Sequence, residues 1–185
     1  NVNAVEEYTE TRDRYEFLTK QKEDIIQAEE KLKTIIKDLS SLMEKQFREK
    51  LEIISDNFND VFREMFGGGQ AYLKLAEEDN VLDSGIDIIA QPPGKTLQSM
   101  MLLSGGERAL TAIAILFSIL KMKPSPFCIL DEIEAALDDA KVLRFGDYLQ
   151  RFSNETQFIV ITHRKGTMEA ADVLYGVTMQ EAGVS

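Results

Sequence analysis

The sequence is poor in residues that staple or break a fold: 185 residues contain one cysteine, one histidine and four prolines. With Cys128 alone no internal disulfide forms. Its place in the apolar run Phe127, Cys128, Ile129, Leu130 reads as a buried thiol in a reducing, cytoplasmic compartment. No apolar run approaches the roughly 20 residues that span a bilayer, and Asn1, Val2, Asn3 open no signal-peptide pattern, so no membrane partner is expected. An initiating methionine is also lacking, which reads as a piece of a longer protein. The formal net charge is −11, divided into −5 before Gly67 (16 acids against 11 bases) and −6 after it, with no basic stripe. That excludes strong binding of a nucleic-acid backbone by this chain unaided. A complete Walker A phosphate loop is missing as well. Gly94, Lys95, Thr96 imitate its end, but Ile89 stands where the first glycine belongs, and Pro92 and Pro93 bring no N–H to a phosphate.

From Ala4 to Phe66 there is neither glycine nor proline, and Asn3 with Glu6 offers a cap and its partner three residues on, which predicts one long helix or two nearly continuous ones. Apolar residues at Ile25, Ala28, Leu32, Ile35, Leu39 and Leu42 keep a 3,4 spacing. Met43, Phe47, Leu51, Ile54, Phe58, Val61 and Met65 resume it after a stutter, as in a coiled-coil seam. At about 1.5 Å per residue such a helix reaches some 90 Å, so most of it is expected to project from the rest. The sequence holds no second long helix to cover the seam, and Ile25, Leu32, Ile35, Leu39, Phe47, Leu51, Ile54 and Phe58 would lie exposed on a helix standing alone. The chain therefore divides into a neck, 1–66, and a lobe, 67–185. Gly67, Gly68 and Gly69 end the helix; Ala71 to Leu75 and Ile86 to Ala90 then read as a hairpin joined by an acidic turn.

Three stretches of the lobe carry chemistry. In Leu102, Leu103, Ser104, Gly105, Gly106, Glu107, Arg108, the S-x-x-E pattern before the apolar-rich run Ala109 to Lys121 is a capping box that opens a helix. The two glycines also leave that helix start bare, so a phosphate fits against its N–H groups and positive dipole end; taken alone, both readings stand. After Pro124 and Pro126, the strand Phe127 to Leu130 runs into Asp131 and Glu132. An apolar strand ending in two acids is a Walker B pattern, in which the first acid holds Mg²⁺ through water and the second orients or deprotonates an attacking water. A strand running into an acidic helix start, with Glu134, Asp138 and Asp139 close behind, is the plainer alternative. A helix from Asp139 to Phe152 leads to the strand Gln157 to Ile161, which ends in Thr162 and His163, the only histidine. There a neutral imidazole faces the same sheet edge as the acids. A short helix after Lys165 and a final strand Val173 to Met179 complete an alternating α/β pattern.

In order, these resemble the signature loop, Walker B acids and switch histidine of ABC-type ATPases. The stretches LLSGGERALTAIAILFSIL, PFCILDEIEAALDDA and TQFIVITHRKGTMEAADVLYGVTMQE, with FGGGQA and AQPPGK, resemble the C-terminal head half of a structural maintenance of chromosomes (SMC) protein of the bacterial condensin type. VEEY and RYEFLTKQ resemble its returning coiled-coil arm. A transporter subunit would more often read LSGGQ. The resemblance implies an α/β, ABC-ATPase-like head lobe with a β-hairpin and a long projecting N-terminal coiled-coil helix. It also implies half of an active site, the Walker A half lying far away in sequence. Asp131 then assists Mg²⁺, Glu132 is the catalytic carboxylate, His163 the switch histidine and Asp138 part of the D-loop. Ser104, Gly105, Gly106 and Glu107 would face the γ-phosphate of ATP held by an opposing head. The implied partners are the N-terminal half, a second SMC head, a kleisin subunit and, through the full complex, nucleoid DNA; a related DNA-repair ATPase head and a mainly kleisin-docking scaffold are the alternatives.

Overall fold

The computed structural model describes residues 3–177. Its elements are helix α1 (Asn3–Phe66), strands β1 (Gln70–Leu75), β2 (Ile86–Gln91) and β3 (Gln98–Ser99), a 3-10 turn (Met100–Leu102), helix α2 (Gly105–Met122), strand β4 (Phe127–Asp131), helix α3 (Asp139–Phe152), strand β5 (Gln157–Ile161) and helix α4 (Lys165–Glu169). Two compact units result, 1–47 and 48–185.

The first unit is helical throughout its described residues. Ile25, Leu32, Ile35, Leu39 and Leu42 are all more than half exposed, so here the seam is open as its spacing predicts. The second unit begins within α1, where the same apolar spacing turns into core. Phe58, expected on the open seam, is fully buried, as are Val61, Phe62 and Met65. Phe47, Leu51 and Ile54 of the expected strip are half-buried. Phe62 stacks on Phe66 with centroids 4.0 Å apart and meets Phe58 edge-on at 5.9 Å. The helix ends where the glycines predict, but the compact units divide at Phe47/Arg48, because the last turns of α1 supply the core with its largest side chains. Fully burying each phenylalanine contributes about 1.5–3 kcal/mol.

β1, β2 and β3 form an antiparallel sheet in that order, Gln70 opposite Gln91 and Ala90 opposite Gln98. Gly69 makes the turn into β1 at φ +84, and a Cβ there would stand 2.2 Å from the Gln91 carbonyl oxygen, so only glycine fits. The free edge of β1 is covered by α1, since Asn59 and Ser55 accept the N–H groups of Ala71 and Leu73 at 3.1 and 3.0 Å. β4 and β5 pair in parallel, Asp131 opposite Ile161. One face of this pair packs on the core through Leu130, Cys128, Phe158 and Val160, against α2 and α3, whose buried residues Leu110, Ile113, Ala114, Phe117 and Val142, Phe145, Leu149 keep helical spacing. Phe117 is the hub, with the rings of Tyr148, Phe152 and Phe158 within 6 Å of its own. Cys128 is half-buried rather than buried; desolvation still raises its thiol pKa.

Two expectations change. β3 and the 3-10 turn appear where no element was predicted. The final strand does not form over Val173–Val177, which are irregular and exposed, with no strand paired to them among the described residues; Thr178 and Met179 lie outside the described residues. The parallel sheet among the described residues has two strands.

Candidate functional site

β4 and β5 end level with each other, and the chain leaves both at the same edge. The Glu132 N–H still donates to the Ile161 carbonyl at 2.9 Å, extending the ladder by one residue, and then φ turns to +46, a left-handed value rare outside glycine. That turn leaves Asp131 and Glu132 exposed at the edge. His163, one residue past Thr162, brings Nδ1 to 3.4 Å from Glu132 Oε1, long for a hydrogen bond but within reach of one shared proton or water. The structure thus brings Asp131, Glu132 and His163 together at the carboxyl edge of the parallel pair.

The loop after β4 is held from behind. Glu134 is fully buried; its Oε1 accepts the hydroxyls of Thr162 and, at 3.0 Å, Thr167. Arg164 donates to the Leu137 carbonyl at 3.1 Å and to Asp139 at 2.8 Å. Asp138 caps α3 by accepting the Lys141 N–H at 2.9 Å and pairs with the Lys141 ammonium, which holds its carboxyl below the usual range. None of Glu134, Arg164 and Lys141 stands out from spacing alone. An i, i+3 pair at a helix start was the one signal for Lys141.

The Ser104–Glu107 group forms a second cluster. Ser104 is the N-cap of α2, and the Glu107 carboxylate accepts its N–H at 3.0 Å and its hydroxyl at 2.6 Å. Lys95, of the stretch that only imitates a Walker A, donates to the same carboxylate oxygen at 2.9 Å. The Ser104 hydroxyl first and Lys95 second lower the Glu107 pKa to about 2. Glu107 therefore spends its carboxylate on its own loop, and only its backbone is left to face an anion. A Cβ on Gly105 would meet nothing within 4 Å, whereas one on Gly106 would stand 3.0 Å from the Ala136 carbonyl oxygen. Gly106 thus packs on the loop that leads to Asp138, while Gly105 faces open space. Among the described residues no hydrogen bond or ion pair joins the Ser104–Glu107 cluster to Asp131, Glu132 or His163.

An α/β body with a long helix, a parallel pair ending in Asp-Glu and Thr-His, and a bare Ser-Gly-Gly-Glu helix start together define an α/β head domain. Residues 6–185 match the family model described as "RecF/RecN/SMC N terminal domain", and the chain belongs to this family. By its description that match is to an N-terminal domain, not to the C-terminal half the sequence resemblance implies. The chain is 58% identical, over all 185 residues, to the chromosome partition protein Smc of Bacillus subtilis (strain 168), of which it spans 16%. An SMC ATPase structure described by its ATP-driven dimerization and DNA-stimulated activation aligns with TM-score 0.69 and 43% identity, covering 75% of this chain and 84% of that one. The Smc head domain of Pyrococcus furiosus with an extended coiled coil, bound to the C-terminal domain of ScpA, aligns with TM-score 0.72 and 39% identity, covering 87% of this chain and 40% of that one. The fold is that of an SMC head domain with a long helix.

Proposed function

We propose that this chain is the C-terminal lobe of an SMC-type ATPase head, which hydrolyses ATP only with a lobe that supplies the Walker A loop. The observation that carries the reading is the parallel pair itself. Its outer face presents Phe127, Ile129, Ile159 and Ile161 about half exposed, although parallel sheets are covered on both faces in nearly all folds. A strand pair with an open apolar face and a row of acids at its carboxyl edge is part of a larger sheet whose other strands come from elsewhere. The motif content agrees: signature, Walker B and switch histidine are present and Walker A is absent. The description of the matching family as N-terminal stands against this placement; the motifs are what favour it.

In this reading Glu132 takes the proton of the attacking water or orients it, and His163 senses the reacting phosphate by hydrogen bond. Ser104 and the open backbone at Gly105 meet a phosphate presented by a second head. Asp131 fits Mg²⁺ arriving with the nucleotide, a cation commonly held by one or two carboxylates plus phosphate oxygens. No group of three or more metal-capable side chains exists among the described residues, which suits a metal shared with substrate rather than a protein cage. Bound Mg²⁺ would neutralise charge on the phosphates. The biological setting follows the relatives: chromosome partition, with heads that dimerise on ATP and bind a kleisin, ScpA in the solved complexes. The RecF/RecN part of the family name keeps the repair-ATPase alternative; 58% identity to a chromosome partition protein favours the first reading.

The test is calorimetric titration of ATP. The 185-residue chain alone should give no micromolar binding, because Walker A supplies most backbone donors and the lysine that grip the phosphates. Mixing with the N-terminal half should restore it. Micromolar binding by the chain alone would overturn the half-site reading.

A further inference from the structure

We propose that Glu134 is a positioning residue, the buried anchor that sets His163 against Glu132 by holding the Thr162–Arg164 turn; this rests on the reading of Glu132 and His163 as the hydrolytic pair. Three consecutive residues after β5 each bond a different residue of the loop after β4. Thr162 donates its hydroxyl to Glu134, His163 faces Glu132 at 3.4 Å, and Arg164 reaches Leu137 and Asp139. The Thr162 hydroxyl is shared within the turn, since its oxygen also accepts the Arg164 N–H at 2.9 Å. His163 itself is exposed, and among the described residues its only polar contact is the long one to Glu132. Its orientation is therefore inherited from the turn, and the turn is pinned through Thr162 to Glu134.

Glu134 is an expensive pin. It is 0% exposed, one oxygen serves both Thr162 and Thr167, and the other, Oε2, has no partner among the described residues. A buried carboxylate satisfied on one side only costs more than an apolar side chain of its size. What it supplies is an acceptor at one fixed point, two residues from Glu132 and reached by the residue next to His163.

The experiment measures ATP hydrolysis by the chain assembled with its N-terminal half, and records the imidazole resonance of this chain, whose only histidine is His163. Thr162→Val should lower kcat about tenfold or more with KM within about twofold, since small misplacements of a reacting group cost rate rather than binding. Thr162→Ser, which keeps the hydroxyl, should restore most of it. Glu134→Gln keeps an acceptor oxygen and should stay near the parent, whereas Glu134→Ala should fall with Thr162→Val; if the alanine variant does not fold, the two Thr162 variants carry the test. The sharp His163 resonance of the parent should broaden or split in Thr162→Val. A Thr162→Val protein that melts lower, yet keeps its kcat and a sharp resonance, overturns the proposal and leaves Glu134 a structural residue. Glu132→Gln separates the two layers of argument: normal hydrolysis by that variant removes the hydrolytic reading itself, whereas an inactive Glu132→Gln beside an active Thr162→Val removes only the positioning role.

Discussion

Substituting Glu132 by glutamine keeps the shape of the side chain and removes its ability to take a proton. In the two-lobe assembly this variant should still bind ATP and accumulate engaged heads while turnover drops by about 10²-fold or more, read as kcat in a steady-state assay. The two glycines of the signature should behave differently from each other. Gly105→Ala meets nothing within 4 Å and should leave the melting temperature unchanged while, on the proposed reading, impairing ATP-driven dimerisation, because the added methyl would occupy the space that reading gives to a phosphate. Gly106→Ala presses on the Ala136 carbonyl at 3.0 Å and should lower the melting temperature as well. Glu107 gives a pH signature. Its carboxyl is depressed from 4.5 to about 2 by Ser104 and Lys95, so its contribution is fully present above 4.5 and is lost as pH falls toward 2. Lys95→Met should therefore be less stable than the parent near neutral pH by an amount that shrinks between pH 4.5 and 2, measured as the difference in urea midpoints.

Among elements, α1 changes role along its length. Ile35→Glu with Leu39→Glu falls on the seam outside the globular unit, where both residues are more than half exposed, and should leave the melting of the globular unit unchanged while weakening pairing with a partner helix, followed by analytical ultracentrifugation with the N-terminal half. Leu51 does not suit that experiment, since it is half-buried within the globular unit. Phe62→Ala should cost about 3–5 kcal/mol, as for other large core truncations. The 3,4 spacing made this helix legible and made its two roles indistinguishable, because a seam and a core face carry the same period. Strands β1, β2 and β4 read well from apolar runs bounded by glycine or proline, and β5 from an apolar run between polar loops. β3 has two residues and no period to read, and Val173 to Val177 have strand-like composition with no strand paired to them among the described residues. The candidate site was legible where its residues are consecutive or close a strand, as in Ser104–Glu107, Asp131–Glu132 and His163. Lys95, Glu134 and Arg164 escaped because their partners lie 12 to 33 residues away and only the fold brings them together.

For the molecule as a whole, the outer face of β4 and β5 is the strongest constraint. Phe127, Ile129, Ile159 and Ile161 together form an apolar surface that water contacts unless another lobe covers it. The isolated chain should bind a hydrophobic dye such as ANS, and its N-terminal half should abolish that signal and raise the melting temperature; dye binding unchanged on assembly would assign the face elsewhere. Glu132 links this architecture to selection. A left-handed backbone costs a non-glycine residue roughly 1–2 kcal/mol, and glycine adopts it freely. Glu132→Gly should then melt a few degrees above the parent, with about 2–4 °C expected per kcal/mol in a chain of this size. On the proposed reading, that variant has lost the carboxylate on which turnover depends. Heat resistance and turnover are thus opposed at one backbone position, and a screen of this family for thermal ruggedness would enrich the inactive protein.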